Sequence, residues 1–252
     1  MVKLSVVIIT LNEEKNIQRC LDSIMPVADE IVVVDSLSTD NTEQICSNYG
    51  VRFVRHEFEG YIEQKNFALS LAKNKYVLSL DADEALSDEL QKSILKVKND
   101  FSASGYTMNR LTNYCGKWVK HSGWYPDRKL RLFIRNLGSW GGINPHDKFL
   151  FFKKEAVKHL RGDLLHYSYY TVEEHYKQAE RFSDIAARSY FEKGKKATWI
   201  KLWINPPVKF FVDYIINLGF LDGSTGLKIC SISAGATHSK YKKLKEIYNS
   251  ES

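Results

Sequence analysis

The sequence predicts an α/β protein built on a doubly wound sheet and followed by a helical C-terminal extension. Short apolar runs alternate with amphipathic stretches through the first hundred residues. Two of these runs end in aspartates, Asp35 and Asp81, which would lie at the carboxyl edge of the sheet, where open α/β sheets bind ligands. After residue 100 the composition becomes more aromatic and basic, so a different kind of structure is expected there.

The expected strands of the first half are apolar runs rich in β-branched residues, as is typical of buried parallel strands. They cover residues 3–10, 31–35, 51–54 and 76–80. A helical pattern follows each of the first three runs, and right-handed crossovers between the strands are expected. No Gly-x-Gly-x-x-Gly turn follows the first strand, so the dinucleotide fingerprint is missing.

Three helix starts carry capping signals. Asp40 with Glu43, and Thr171 with Glu174, have the spacing of a capping box. Either residue of the pair 87–88 would cap a helix over about residues 88–98. These signals predict where three helices begin.

The second half shows three further patterns. Basic and apolar residues alternate over 129–135, which predicts a half-buried strand, and glycine and proline mark 141–148 as a loop. The helix after Thr171 carries a stripe that we expect to be its core face: Val172, Tyr176, Ala179, Phe182, Ala186 and Tyr190.

Composition and charge narrow the function classes. The 252 residues are 44% hydrophobic, enough for one domain with an appendage, and the four scattered cysteines form no CxxC pair. This favours a reducing compartment over a disulfide scaffold or a zinc site. Residues 1–100 have a charge balance of −6 and residues 101–252 a balance of +12, so the second half is expected to meet an anionic partner. We also expect no signal peptide and no membrane-spanning segment.

The acids at the strand ends predict a metal site. Asp81 and Asp83 are two residues apart, so an extended backbone would point both carboxylates to one face. Two crowded carboxylates suit a hard cation whose shell substrate phosphates complete. The competing interpretation is a polar strand end that caps the next helix. Residues 10–13 and Asp35 would meet the same edge, which favours a binding site.

The ordered stretches 7–14, 34–40 and 81–83 resemble the nucleotide-sugar site of family 2 glycosyltransferases, which have the GT-A fold, a doubly wound, Rossmann-like mixed sheet. Further stretches are similar to the inner-core lipopolysaccharide β-glucosyltransferases, so the resemblance covers nearly the whole chain: 60–65, 79–84, 121–133, 162–168 and 219–223. The subgroup has Val-His-Glu where this chain has Pro145-His146-Asp147.

The resemblance implies a metal-dependent, inverting and non-processive transfer of one sugar, expected to be glucose, from a UDP-sugar to a lipopolysaccharide core acceptor. Asp83 would hold Mg²⁺ or Mn²⁺, and Asp147 would be the general base. The nucleotide-sugar would bind to Thr10, Asn12, Glu13, Asp35, Lys65, Asp81 and Ala82. The acceptor would bind to Trp124, Tyr125, Arg128, Arg131 and His146.

Several residues keep a structural alternative. Asp35 would otherwise cap a helix, Lys65 would be a solvated helix lysine, and Asp147 a turn aspartate beside a proline. The basic residues of 128–131 would otherwise form an ordinary strand edge.

The predicted domains are 1–168, with a nucleotide-sugar half over 1–100 and an acceptor half over 101–168, and a basic, aromatic extension over 169–252. Because 199–216 is rich in aromatics and flanked by lysines, it is expected either to lie at a membrane surface or to pack on the core. The expected location is the cytoplasm, at the inner face of the bacterial inner membrane.

Two rival functions remain open. One is transfer to another glycan, a lipid carrier or a protein, although the Gln-x-x-Arg-Trp signature of processive synthases is missing. The other is a nucleic-acid-binding protein that uses the basic second half. It does not explain acids at neighbouring strand ends, which would repel phosphate without a metal, so no nucleic-acid partner is expected.

Overall fold

A computed structural model of the chain describes residues 1–143 and 146–250. The strands are β1 (Leu4–Thr10), β2 (Glu30–Asp35), β3 (Arg52–Arg55), β4 (Tyr76–Asp81), β5 (Glu84–Leu86), β6 (Gly105–Tyr114), β7 (Lys117–Val119), β8 (Asp127–Ile134), β9 (Gly138–Ile143), β10 (His146–Phe151) and β11 (Val157–Tyr169). The α-helices are α1 (Ile17–Ile24), α2 (Thr42–Ser47), α3 (Tyr61–Leu71), α4 (Asp88–Asn99), α5 (Val172–Glu192), α6 (Trp199–Trp203), α7 (Asn205–Phe211) and α8 (Gly223–Ser250).

The main sheet is mixed. Its strand order is β3-β2-β1-β4-β8-β6-β11-β5, and β7 pairs with β6 beside this path. The pairs β2–β3, β1–β2 and β1–β4 are parallel, whereas β8 joins β4 and β6 antiparallel. The expected doubly wound first half and mixed sheet are therefore confirmed.

Two apolar clusters cover the two faces of the parallel strands. Val6, Ile8 and Leu80 pack in a cluster that includes residues of α1 and α4. Val7 and Val77 pack in another cluster that includes residues of α3. Because neighbouring residues of a strand point to opposite faces, continuous apolar runs are needed when helices cover both sides. This double burial holds the carboxyl ends of β1, β2 and β4 side by side.

The chain divides into two compact units. The first unit comprises residues 1–110 and 127–167, and the second comprises 111–126 and 168–252. The second unit contains α5 to α8, which are the helical C-terminal extension that the sequence predicted. Of the described helices, none is long and apolar enough to cross a membrane.

The capping predictions have mixed outcomes. Thr171 and Glu174 form the predicted capping box at the start of α5, and Ser87 Oγ accepts a hydrogen bond from a backbone N–H of α4. The box predicted for Asp40 and Glu43 is wrong. Asn41 occupies the N-cap position without a side-chain cap, because Asp40 Oδ1 accepts hydrogen bonds from the backbone N–H (3.0 Å) and hydroxyl (2.6 Å) of Thr42.

Two patterns of the second half were misjudged. Tyr176 and Phe182 on α5 are exposed, and its buried residues are His175, Ser183 and Ala187. The most buried positions of α5 therefore differ from the predicted stripe, although Val172 and Tyr190 of that stripe pack against apolar clusters as expected. The predicted loop over 141–148 contains the ends of β9 and β10, which pair antiparallel in a separate two-stranded sheet.

Candidate active site

The loops after β1 and β2 are joined by side-chain hydrogen bonds. Thr10 pairs with Asp35 in the register of β1 and β2, which brings the two loops together. Asn12 Oδ1 accepts from the backbone N–H of Thr39 (2.8 Å), and the backbone N–H of Asn12 donates to Ser38 Oγ (2.7 Å). The backbone N–H of Ser38 in turn donates to Asp35 Oδ2 (2.8 Å). Asp35 is buried, and these bonds hold both loops in one conformation.

Two groups at this edge have unusual electrostatics. The buried hydroxyl of Thr10 has no hydrogen-bond partner within the described part of the chain. Burial raises the pKa of Glu13 to about 7, and the nearby charges of Asp83, Asp40 and Asp81 raise it further. A hydrogen bond from Asn16 lowers this pKa, but burial outweighs it. A carboxyl group that resists ionisation and an unpaired hydroxyl are features of a polar pocket that can receive a ligand.

Asp81 lies in a buried ion-pair network. Its carboxylate oxygens are 3.0 Å from Lys65 Nζ and 2.7 Å from Arg131 Nη2. Arg131 also contacts the fully buried Glu84, with 2.7 Å between Nη2 and Oε1. Burial alone would raise the pKa of Asp81, but the Lys65 and Arg131 cations outweigh it and hold that pKa far below the usual range. Asp81 is therefore ionised throughout the physiological pH range.

Asp147 reaches the same network from β10. Its Oδ2 lies 2.7 Å from Lys65 Nζ, and only 11% of its side chain is exposed. Lys65 Nζ also lies 4.7 Å from the centre of the Trp140 ring on β9, a cation–π distance. Lys65, itself 3% exposed, therefore joins α3 and β4 to the β9–β10 pair.

Asp83 has a different partner. The backbone N–H of Tyr167 donates to the carbonyl of Asp83 (2.9 Å), and β11 pairs His166 with Glu84. His166 Nε2 consequently lies 3.2 Å from Asp83 Oδ2. His166 lies in the 162–168 stretch that resembles the lipopolysaccharide subgroup, but it was not among the predicted site residues. A histidine in a strand carries no local signal of the acid that strand pairing will place beside it.

The expectation that Asp81 and Asp83 share one face is wrong. β4 ends at Asp81, and the chain turns at 82–83 before β5 begins, so the alternation of an extended strand does not apply. Asp81 faces Lys65 and Arg131, whereas Asp83 faces His166. Ala82 between them is buried and donates its backbone N–H to the carbonyl of Ile9 (3.2 Å).

The donor set at Asp83 fits a hard divalent cation in part. A carboxylate oxygen suits Mg²⁺ or Mn²⁺, which commonly complete their shell with phosphates and water, whereas an imidazole nitrogen is a poor ligand for the hard Mg²⁺. Within residues 1–143 and 146–250, no three His, Cys, Asp or Glu side chains converge on one point. Any ion here would accordingly take most of its ligands from substrate.

The residues predicted to bind the acceptor do not form one group. Arg128 is exposed on β8, whereas Arg131 is 4% exposed and occupied by two carboxylates. The strand predicted for 129–135 is largely present as part of β8, but the prediction that its basic face is exposed is wrong for Arg131, which is buried. Trp124 and Tyr125 belong to the second unit, where the Trp124 ring packs against Tyr114. The side chain of His146 lies outside the described residues, as do Asn144 and Pro145.

Two of the stretches that resembled the lipopolysaccharide subgroup meet in the second unit. Asp222 Oδ2 accepts from the backbone N–H of His121 (3.0 Å) and from the hydroxyl of Ser122 (3.3 Å). The ring Nδ1 of His121 lies 3.0 Å from Asp222 Oδ1. These bonds attach the 119–123 segment to the turn that precedes α8, which gives both stretches a structural role.

An α/β fold with carboxylates at the carboxyl ends of neighbouring parallel strands is typical of enzymes that bind ligands at that edge of the sheet. Comparison with known proteins defines this one as a glycosyltransferase. The sequence profile described as "Glycosyl transferase family 2" matches residues 5–161. The chain belongs to this family, which confirms the resemblance drawn from its motifs.

Two relatives match along almost the whole chain. An uncharacterised glycosyltransferase of Rickettsia typhi is 32% identical over 98% of this chain and 88% of its own length. The lipopolysaccharide core biosynthesis glycosyltransferase LpsC of Rhizobium meliloti is 28% identical over 94% of this chain and 93% of its own length. The similarity therefore includes the C-terminal extension.

Solved structures resemble the chain more distantly. Residues 1–349 of S. aureus TarS, in complex with UDP, give a TM-score of 0.48 at 17% identity, covering 99% of this chain and 92% of that one. Glucosyl-3-phosphoglycerate synthase from Mycobacterium tuberculosis, in complex with Mn²⁺ and UDP-glucose, gives a TM-score of 0.38 at 25% identity and covers 44% of each chain.

Proposed function

We propose that this protein transfers a single sugar, glucose, from a UDP-sugar to a lipopolysaccharide core oligosaccharide, with inversion at the anomeric carbon and with help from a divalent metal ion. The observation that carries the proposal is the pair Asp83 and His166, 3.2 Å apart at the end of β4, next to the ion-paired Asp81. Membership of family 2 and the relative named for lipopolysaccharide core biosynthesis support the reaction class and the acceptor.

In this proposal the nucleotide binds at the ends of β1 and β2. The buried Asp35 carboxylate and the Thr10 hydroxyl supply acceptors and a donor for the uracil and the ribose. Asn12 holds the two loops together, and Glu13 is neutral below a pH of about 7, so it adds little repulsion toward the diphosphate. The pocket therefore tolerates an anionic donor despite its carboxylates.

Asp83 and His166 would hold Mg²⁺ or Mn²⁺ against the diphosphate. The ion would supply Lewis-acid stabilisation of the charge that grows on the departing diphosphate. Lys65 lies nearby, but it is paired with Asp81 and Asp147, which argues for a positioning role rather than for direct phosphate binding.

Asp147 is the proposed general base. Its Oδ2 lies 2.7 Å from Lys65 Nζ, and a carboxylate can accept a proton from the acceptor hydroxyl. That hydroxyl attacks the anomeric carbon from the side opposite to the diphosphate, so the configuration inverts. The exposed Arg128 of the first unit is the proposed acceptor contact, since guanidinium groups bind phosphate and carboxylate.

The proposed location is the cytoplasmic face of the bacterial inner membrane, with peripheral attachment. A lipid-borne acceptor, such as the one in the name of the relative LpsC, would place the reaction at that surface.

The test compares Asp83→Asn and His166→Ala with Asp88→Asn, an exposed carboxylate at the start of α4 that serves as a matched control. UDP affinity is measured by calorimetry with and without Mn²⁺, and release of UDP is followed with a panel of UDP-sugars. We expect the wild type and Asp88→Asn to bind UDP more tightly with Mn²⁺. Both site variants should lose this gain, a fall of about ten- to hundredfold.

Asp147→Asn separates chemistry from binding. It should retain metal-dependent UDP binding and lose turnover by about a hundredfold or more. Equal UDP affinity with and without metal in the wild type would refute the metal proposal. Full turnover by Asp147→Asn would refute the assignment of the base.

A further inference from the structure

We propose that an apolar surface of the second unit, formed by residues 199–221, inserts into the interfacial region of an anionic lipid bilayer. The 199–221 surface comprises α6, α7, a π-helical turn (Val212–Ile216) and a 3₁₀ turn (Gly219–Asp222). This inference rests on the proposed function, because a lipid-borne acceptor would explain why the protein binds a membrane. Its test measures only lipid binding, so it can fail while sugar transfer stands, and the reverse also holds.

The first observation is the exposure of large apolar side chains. Twelve of them within 23 consecutive residues are between 37% and 68% exposed, with Trp199 the most exposed and Val212 the least. They are Trp199, Ile200, Trp203, Ile204, Val208, Phe211, Val212, Ile215, Ile216, Leu218, Phe220 and Leu221. A contiguous apolar sequence of this kind is rarely left facing water and marks an interaction site.

The segment is also held in place by its other side. Pro206, Asp213 and Gly219 are buried, and Lys209 Nζ lies 2.9 Å from Asp213 Oδ2. A Cβ atom at Gly219 would lie 2.7 Å from the carbonyl oxygen of Asp213, so the backbone there is closely packed. The apolar side chains are therefore presented outward by an ordered scaffold.

Contacts with α8 fix the start of the segment. The ring Nδ1 of His238 lies 3.1 Å from the carbonyl oxygen of Leu202, and Asn205 Nδ2 donates to Tyr241 Oη (3.2 Å). The Trp203 ring packs on His238, with 5.1 Å between ring centres. These bonds use the polar groups of the segment and leave its apolar groups for another partner.

The charge of the region selects the partner. Residues 193–245 contain ten lysines and two acids, Asp213 and Asp222. The side chains of both acids are buried, at 4% and 7% exposure, and both are hydrogen-bonded within the second unit. The exposed lysines Lys193, Lys195 and Lys196 directly precede α6. Lys243 is paired with Glu180 and Asp184 of α5, but residues 193–245 themselves contribute no exposed carboxylate. The remaining positive charge is complementary to anionic headgroups.

Apolar and cationic groups in this combination favour a bilayer over a protein surface. Tryptophans at Trp199 and Trp203 have amphipathic rings that bind at the level of the headgroups, and lysine stems reach past apolar surface toward phosphates. Short helices with apolar residues on several sides suit the acyl boundary, where no single complementary groove is needed.

The experiment uses the full chain with vesicles of phosphatidylcholine alone or mixed with phosphatidylglycerol. Flotation gives the partition coefficient, and quenching of tryptophan fluorescence by brominated acyl chains reports depth. The triple variant Ile200→Ser, Phe211→Ser and Ile216→Ser keeps both tryptophans of the surface as reporters. The matched control is Phe152→Ser, which removes a side chain of the first unit that is 69% exposed.

We expect the wild type and Phe152→Ser to float with the anionic vesicles at low ionic strength, and salt to weaken this binding. The triple variant should partition about a thousandfold less well, since each of the three large apolar side chains contributes about tenfold when buried. The double variant Lys195→Glu and Lys196→Glu should bind the anionic vesicles more weakly than the wild type does. Its binding to vesicles of phosphatidylcholine alone should not change. Retained far-UV circular dichroism and UDP affinity would show that each variant is folded.

Three results would overturn the proposal. The wild type could stay in the soluble fraction with anionic vesicles at low salt. The triple variant could float as well as the wild type while remaining folded. The wild type could instead form a dimer in solution that the same three substitutions dissociate, which would assign the 199–221 surface to contact between two copies of the chain.

Discussion

Replacing Arg131 by methionine should destabilise the first unit severely. Arg131 is 4% exposed, and its Nη2 lies 2.7 Å from oxygens of both Asp81 and Glu84. Although burial alone would lower the pKa of Arg131, Glu84 and Asp81 outweigh it and raise that pKa, so the guanidinium is charged at every accessible pH. The variant keeps most of the apolar stem and removes only the charge and its hydrogen bonds.

The size of the destabilisation depends on the partners that Asp81 and Glu84 retain once the guanidinium is removed. Asp81 would retain Lys65 at 3.0 Å, so its charge stays compensated. Glu84, fully buried, would keep only the backbone N–H of Asp81 at 3.0 Å and the more distant Arg110 at 3.8 Å. Breaking a buried ion pair on one side costs about 3–5 kcal/mol, because the remaining charge is poorly solvated. We therefore expect a loss of about 3–5 kcal/mol in the free energy of unfolding.

The assay is urea unfolding, followed by fluorescence and circular dichroism at neutral pH. Arg128→Met is the matched control, since Arg128 is an exposed arginine on the same strand, and its effect should stay within about 0.5 kcal/mol. Adding Glu84→Gln to Arg131→Met should recover about 1–3 kcal/mol, because the uncompensated charge is then gone. Equal midpoints for Arg131→Met and Arg128→Met would refute the buried network as described.

Three further predictions concern pH and backbone geometry. Glu13 has a pKa of about 7 instead of 4.5, so the folded state holds a proton that the unfolded state has lost, and the contribution of Glu13 to the free energy of unfolding should fall as pH rises from about 4.5 to 7; Glu13→Gln, titrated in parallel in metal-free buffer, should lack this component. Burial lowers the pKa of His175 from 6.5 to about 4, so stability should fall as pH drops from about 6.5 to 4, and a His175→Gln variant titrated in parallel should lack this component. Gly162 and Gly116 have φ of +91° and +84°, but a Cβ at Gly162 would lie 2.3 Å from the backbone nitrogen of Leu90, whereas one at Gly116 meets nothing within 4 Å. Alanine at Gly162 should therefore lower the free energy of unfolding, measured in urea, by at least about 2 kcal/mol more than alanine at Gly116, and equal losses would show that the positive φ alone matters.

Local patterns in the sequence predicted the architecture well where the physics is local. The apolar runs that became β1, β2 and β4 must be buried on both faces, so they can form little else than central strands. The box at Thr171 depends on residues three apart and was predicted correctly. The prediction for Asp40 failed for a related reason, since its carboxylate found two donors in Thr42 that compete with a cap.

The candidate site was predicted in location but only partly in composition. The carboxyl edge of the sheet was expected to collect Asp35, Asp81 and Asp83, because parallel strands end at one side. Pairing across the sheet then decided which side chains became partners. The turn after Asp81 separated the two aspartates, and β11 placed His166 beside Asp83, neither of which a local pattern could indicate.

The sequence by itself therefore determined the α/β class, the positions of the first four strands along the chain and the edge that carries the acids. Each of these depends on periodicity and burial over a few residues. Only the tertiary structure decided that Lys65 pairs with Asp147, 82 positions away, and that Arg131 is buried and not available to a ligand. The physical reason is that the partner of a charged side chain is set by the register of distant segments, and the free energy of that choice appears only when both segments leave water together.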